Sequence, residues 1–266
     1  MDIRKWEDRY SIDCRMKYNS FATQSNYISC VRLFLFKFQK YREPKEIPNS
    51  EIKEWLLEAK TVNTRKHRLC AINSFYKLSV GMPSKITKIP YPKSEKKLPQ
   101  IIESEFLKER IMKIENLKHK SIIMLGYSCG LRVSEVINLK IEDVDSKRMI
   151  INIRNAKGRK DRIVVLSKTM LETLRNYFKK FRPKSFMFNG QFDLQYSAKS
   201  CNEIVKKYLG KIYHFHLLRH SHSTTLLESG VDLSIIQKLL GHSNIKTTQI
   251  YAHVSTALLH KIQMPI

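Results

Sequence analysis

Between Gly81 and Gln100 the chain breaks its own pattern. Pro83, Pro90, Pro92 and Pro99 stand there, interleaved with Lys85, Lys88, Lys93, Lys96 and Lys97. Proline fixes φ and removes a backbone donor, so neither a long helix nor a central strand can run through such a stretch. The lysines hold it in water. The break therefore predicts two folding units, residues 1–82 and 99–266, joined by a basic linker over 83–98.

Before the break the pattern is helical. Residues 23–40 set Tyr27, Val31, Leu33, Phe34, Phe36 and Phe38 at mixed helical spacing with no interior glycine or proline, and these side chains are expected in a core. A second helix is expected over 49–60, with Asn49 or Ser50 as N-cap and Ile52, Trp55 and Leu56 on one face. A third covers 63–80 and stops at Gly81 and Pro83. Beyond the break, 103–114 and 118–128 read as helices, with Gly126 and Gly130 as breaks. Residues 148–153 and 162–166 alternate in the β manner around the turn Asn155-Ala156-Lys157-Gly158, and 168–180, 198–209, 216–228 and 233–240 return to helix. The expected class is mainly α with a small antiparallel β-sheet.

Charge narrows the partner. The formal net charge is +25, with 16 Lys and Arg against 9 Asp and Glu in residues 1–82 and 33 against 15 in residues 83–266. Such a surplus repels itself, and both units share it, so a polyanionic partner is expected. Nucleic acid fits best, because each neutralised phosphate releases counterions and adds affinity; an acidic membrane surface is the alternative. No apolar stretch is long enough to span a bilayer, and the start MDIRKWEDRY carries no signal-like apolar run. The five cysteines are scattered, without a C-x-x-C pair, which predicts reduced thiols and a cytoplasmic protein rather than a disulfide or cysteine–zinc framework.

Four segments carry chemistry. In Gly130-Leu131-Arg132-Val133-Ser134-Glu135, Arg132 and Glu135 are three apart, so the carboxylate can orient the guanidinium, although a surface ion pair has the same spacing. Lys157 stands in the hairpin turn, either solvated or presented to a groove. His216 and Arg219 share a helical face within His216-Leu217-Leu218-Arg219-His220. His216 and His220 also have the spacing of a zinc helix, but Leu217 occupies the place of the glutamate that a zinc protease carries. The last segment runs Leu240-Gly241-His242 and reaches Tyr251 nine residues after the histidine. Cleaving a phosphodiester without metal needs cations on the non-bridging oxygens, a nucleophile and an acid for the departing alkoxide. Arginine clamps the oxygens bidentately, a tyrosine phenol serves once a base or cations lower its proton affinity, and histidine or lysine moves the protons.

Together and in this order, the segments resemble the tyrosine recombinase (phage integrase) superfamily, most nearly its small Xer-type members. The likeness runs from Lys97-Leu98-Pro99 to the tail. Gly-Leu-Arg-Val-Ser-Glu matches the first arginine motif, His216-Leu217-Leu218-Arg219-His220 the H-x-L-R-H motif, and Leu240-Gly241-His242 with Tyr251 the L-G-H…Y ending. The resemblance implies that Arg132 and Arg219 hold the scissile phosphate and that His216 and His242 complete its pocket. It makes Lys157 the hairpin general acid, Glu135 a supporting acid and Tyr251 the nucleophile of a 3′-phosphotyrosyl link. Ala156 departs from the usual Gly-Lys-Gly, and Lys160 stays open as the alternative acid. His222 and Ser223 replace more usual apolar and small residues.

The same resemblance implies a two-domain clamp on double-stranded DNA. A helical core-binding (SAM-like) domain over 1–82 and a catalytic domain over 99–266 would close around the duplex, without the arm-binding domain of large integrases. A tail after Tyr251 that docks on a neighbour implies a homo-tetramer on two DNA sites, or a related recombinase as hetero-partner. Strand exchange through a Holliday junction needs no cofactor, since the phosphotyrosyl bond stores the energy of the broken one. Three other readings remain open at this point: a topoisomerase-like nicking enzyme, a DNA-binding regulator with an idle site, and a histidine-based metallohydrolase.

Overall fold

The computed structural model describes residues 1–93, 100–154, 161–190 and 195–241, together with Thr248. Contacts divide the chain into two compact units, Met1–Lys96 and Lys97–Ile266.

The N-terminal unit is helical. It contains α1 (Ile3–Lys17), α2 (Phe21–Lys37), α3 (Asn49–Leu57), α4 (Val62–Phe75) and the short α5 (Ser84–Thr87). Side-chain caps start three of them: Asp2 accepts from the Lys5 N–H at 3.0 Å, Ser20 from Thr23 at 3.4 Å and Thr61 from Thr64 at 3.1 Å. Each satisfies an amide that the first helical turn leaves unpaired. At α3 the expected cap is absent: Pro48 takes the N-cap position, and Asn49 instead donates its side-chain amide to the Lys85 carbonyl at 3.1 Å. Phe34 is the hub of the core, with the rings of Phe38, Trp55 and Tyr76 centred 4.9, 5.2 and 6.1 Å away. Leu33 and Phe36, expected inside, are exposed. At about 100° per residue, Val31, Phe34, Leu35 and Phe38 share a face that Leu33 and Phe36 do not. The α4 segment continues as a π-helical turn over Tyr76–Val80 and stops at Gly81, whose φ of +78° suits the residue without a Cβ.

The prolines do not leave the following stretch fully in water. Pro83 stands at the N-cap of α5, where the ring needs no amide partner, and Ile86 and Ile89 are buried in the core of this unit. The solvated segment expected from residue 83 onward thus begins later, because two isoleucines at i and i+3 find an apolar face.

In the C-terminal unit, α6 (Ser104–Met112), α7 (Leu117–Ser128), α8 (Val133–Ile137), α9 (Lys168–Phe181), α10 (Ala198–Leu209), α11 (Phe215–Glu228) and α12 (Leu233–Leu240) accompany a three-stranded sheet. The strands β1 (Val144–Asp145), β2 (Ile150–Ile153) and β3 (Arg162–Val165) are antiparallel in the order β1-β2-β3, with Ile151 opposite Val164 and Ile153 opposite Arg162. Period-two alternation turns Ile151, Ile153 and Val164 inward. The middle of the unit is α7, packed against α9 and α11, with Ile122, Ile123 and Leu125 buried. Gly126 does not break it, contrary to the sequence expectation. A Cβ there would lie 2.8 Å from both Leu218 Cδ1 and Phe215 Cζ, so this glycine lets α11 approach α7 closely.

Candidate active site

The site is assembled where two chain reversals meet the helix α11. The first follows α7. Gly130, at φ +61°, turns the chain, and the Leu131 N–H returns to the Leu125 carbonyl at 3.2 Å. The turn leaves Arg132 at the N-cap of α8. There the Glu135 carboxylate accepts from the Arg132 backbone N–H and from its Nη1, both at 2.8 Å. The spacing of three noted in the sequence is therefore a buried capping interaction rather than a surface pair, with side-chain exposures of 18% for Arg132 and 6% for Glu135.

The second group stands on α11. Arg219 is 0% exposed; its Nη1 donates to the Gly130 carbonyl at 2.6 Å and its Nη2 to the Leu240 carbonyl at 2.5 Å, and Nη1 lies 3.9 Å from Glu135 Oε2. His216 keeps one side open to solvent. Burial of its other side, then the charges of Arg219, His214 and Arg132, hold its pKa below the ordinary histidine value. Both arginines therefore act on this imidazole, and it is neutral and able to accept a proton at pH 7. Burial does the same to its neighbours: His220, whose ring centre is 4.5 Å from that of His216, is pushed down to about 4, as is His222. Among the described residues no three His, Cys, Asp or Glu side chains gather as a metal-ligating group.

The third element is the C-terminus of α12. Its last carbonyls have no partner inside the helix and carry the negative end of the helix dipole. Three in succession accept from three different arginines: Leu239 from Arg162 Nε at 2.8 Å, Leu240 from Arg219 Nη2 at 2.5 Å and Gly241 from Arg132 Nη2 at 3.5 Å. The chain turns away at Gly241 in the left-handed region, φ +63°, and His242 is the next residue in sequence.

Arg162 was not singled out from the sequence. Its Nη1 and Nη2 grip the two oxygens of Glu135 at 2.5 and 2.7 Å. Strand parity held the signal, since Arg162 has the phase of Val164 and Leu166, both buried. Burial alone would raise the Glu135 carboxyl, but the hydrogen bonds and charge of Arg162, joined by those of Arg132, reverse that and hold it at about 2.

The arrangement so far is a cationic pocket with a carboxylate buttress held ionised well below neutral pH and, at its rim, an imidazole whose protonation the pocket disfavours. Residues 95–257 match the phage integrase family. Tyrosine recombinase XerA of Pyrococcus horikoshii is 40% identical over 200 residues, covering 72% of this chain and 69% of that protein. The chain belongs to the phage integrase family. It is a tyrosine recombinase, an enzyme that breaks and rejoins DNA strands in site-specific recombination. A crystal structure of XerA recombinase matches 98% of this chain and 100% of that one at 27% identity and a TM-score of 0.56. The Tn1549 transposon integrase in complex with transposon right end DNA has the same fold, with a TM-score of 0.68 over 92% of this chain and 94% of that one at 19% identity.

Of the residues that the motifs of a tyrosine recombinase pick out, Arg132, Glu135, His216 and Arg219 are brought together. Lys157, its alternative Lys160, His242 and Tyr251 lie outside the described residues. The two arginines are not equivalent. Arg132 reaches the surface and makes a long bond to Gly241, whereas Arg219 is enclosed and bonded to two carbonyls.

Proposed function

We propose that this recombinase cuts and rejoins double-stranded DNA through a 3′-phosphotyrosyl intermediate on Tyr251. The observation that carries the reading is the meeting of Arg132, Arg219 and His216 beside the end of α12, one residue before His242 in the sequence. Arg132 and Arg219 hold the non-bridging oxygens of the scissile phosphate, and His216 and His242 complete the pocket. The Tyr251 oxygen attacks phosphorus as its proton passes to a neutral imidazole; the phosphorus–5′-oxygen bond breaks, and Lys157 protonates that oxygen. A 5′-hydroxyl of the partner strand then attacks the phosphotyrosine, restoring the phosphodiester and freeing Tyr251. One ester bond is broken for each one made, so the chemistry requires neither ATP nor a divalent metal. Fixed cations around the five-coordinate phosphorus supply most of the acceleration.

The helical N-terminal unit and the catalytic unit grip the duplex as a clamp, joined by the basic segment ending near residue 98, and the +25 charge serves both. Exchange of both strand pairs through a Holliday junction takes four protomers on two sites, identical or with a related recombinase as partner. The enzyme works in the cytoplasm. No helix among the described residues is long and apolar enough to cross a membrane.

The test is covalent trapping on a nicked half-site substrate. Wild type gives a protein–DNA adduct that peptide mapping places on Tyr251. The Tyr251→Phe variant binds the same DNA in a mobility-shift assay and gives none. An adduct that survives this substitution overturns the proposal.

A further inference from the structure

We propose that Arg162 is a positioning residue for strand cleavage. Through Glu135 and the Leu239 carbonyl it sets the Arg132 guanidinium and the end of α12 at their working distance. The inference rests on the reading that Arg132 holds the scissile phosphate.

Four observations carry it. Arg162 spends its fork entirely inward: Nη1 and Nη2 bind both oxygens of Glu135 at 2.5 and 2.7 Å, and Nε binds the Leu239 carbonyl at 2.8 Å. Its charge is matched by the Glu135 carboxylate that both Nη atoms grip, and its side chain is 7% exposed, so it serves that carboxylate and not a phosphate. The carboxylate it holds is the one that orients Arg132, through the backbone N–H and Nη1 at 2.8 Å each. Gly241 makes room for it, since a Cβ there would lie 3.0 Å from Arg162 Cδ. One planar guanidinium thus ties the start of β3, the cap of α8 and the last turn of α12. Arg162 is also the residue at which the chain re-enters the sheet five positions after Lys157. Lysine cannot replace it: an ammonium is a point donor and cannot span two carboxylate oxygens and a carbonyl in one plane.

The carboxylate provides a readout separate from folding. The charged groups facing Glu135 are Arg132 from α8, Arg162 from β3 and Arg219 from α11. With Arg162 removed, burial of Glu135 is opposed less, and its carboxyl takes up a proton at higher pH. A protonated Glu135 releases Arg132, so cleavage acquires an acid limb that wild type lacks. His216, which Arg132 also faces, titrates in every enzyme compared, so the acid limb is read as the difference between Arg162→Lys with and without Glu135→Gln.

The experiment measures single-turnover cleavage of a nicked half-site at saturating DNA, alongside DNA affinity, between about pH 5 and 8, where the fold should persist. Arg162→Lys, checked by circular dichroism and melting, is expected to bind DNA within about threefold of wild type and to cleave at least about tenfold more slowly. Its rate should fall further toward pH 5, and this extra limb should vanish in Arg162→Lys with Glu135→Gln. Arg162→Met should cleave about a hundredfold more slowly; where it does not fold, the lysine variant decides. An Arg162→Lys enzyme with the wild-type rate and pH profile overturns the inference, as does one whose loss is confined to DNA affinity. Arg132→Ala is the control for the underlying reading. If it cleaves as wild type does, that reading fails; if it is inactive while Arg162→Lys is normal, only the role of Arg162 fails.

Discussion

Replacing Glu135 by glutamine changes one oxygen to an NH2 group and leaves the volume nearly unchanged. The carboxylate accepts four hydrogen bonds, from the Arg132 backbone N–H, Arg132 Nη1, Arg162 Nη1 and Arg162 Nη2, which fill its acceptor sites while it is 6% exposed. An amide keeps one oxygen, and its two donors would point at guanidinium donors. At about 1.5–3 kcal/mol for each bond to a charged group, losing two costs roughly 3–6 kcal/mol. Breaking one side of a buried ion pair gives a similar figure, about 3–5 kcal/mol. The expected loss is therefore about 4 kcal/mol at pH 7. The pH dependence supplies a second measurement. Glu135 titrates near 2 in the folded protein instead of 4.5, so its contribution is complete above the unfolded value and disappears as pH falls through the folded one. The gap between wild type and Glu135→Gln should then narrow by about 1.4 kcal/mol between pH 7 and pH 3.5. Urea unfolding followed by far-ultraviolet circular dichroism measures both. Tryptophan fluorescence does not follow this unit, because Trp6 and Trp55 both lie in Met1–Lys96. A variant within about 1 kcal/mol of wild type at pH 7, or a gap that does not narrow in acid, would refute the buried-carboxylate argument.

Two glycines give further tests. Gly130→Ala should lose about 2–4 kcal/mol, since alanine at φ +61° is strained and its Cβ would lie 2.5 Å from His222 Cδ2; thermal melting measures it, and an unchanged midpoint would contradict the tight turn. Gly126→Val should cost about 2–3 kcal/mol by forcing Leu218 and Phe215 off α7, read as a lower urea midpoint; a neutral result would mean that α11 can retreat freely.

Much of the fold was legible because its signals are local. Helices at Ala198–Leu209 and Leu233–Leu240 appear with the bounds that periodicity predicts, and β2 and β3 fall where the alternation does. Where expectation and structure part, the cause is tertiary contact. Gly126 looks like a helix break until Phe215 and Leu218 are seen against it, and Ile86 and Ile89 look solvated among prolines until the N-terminal core covers them. Leu33 and Phe36 belong to the same apolar run as Phe34, and only the choice of buried face separates them.

The amino-acid sequence alone set out the candidate residues and their order along the chain: Arg132, Lys157 or Lys160, His216, Arg219, His242 and Tyr251, with an excess of positive charge that suits a polyanion. Motif spacing suffices for that, because residue types and intervals are properties of the chain. Tertiary structure decided how each cation is held. Arg219 and Arg162 are enclosed, while Arg132 keeps an edge open, and an arginine with no motif to mark it holds the carboxylate that two elements share. No interval in the sequence encodes that. A helix exposes its last carbonyls wherever it ends, but which guanidiniums they hold depends on the packing that brings β3, α8 and α11 to the same end of α12.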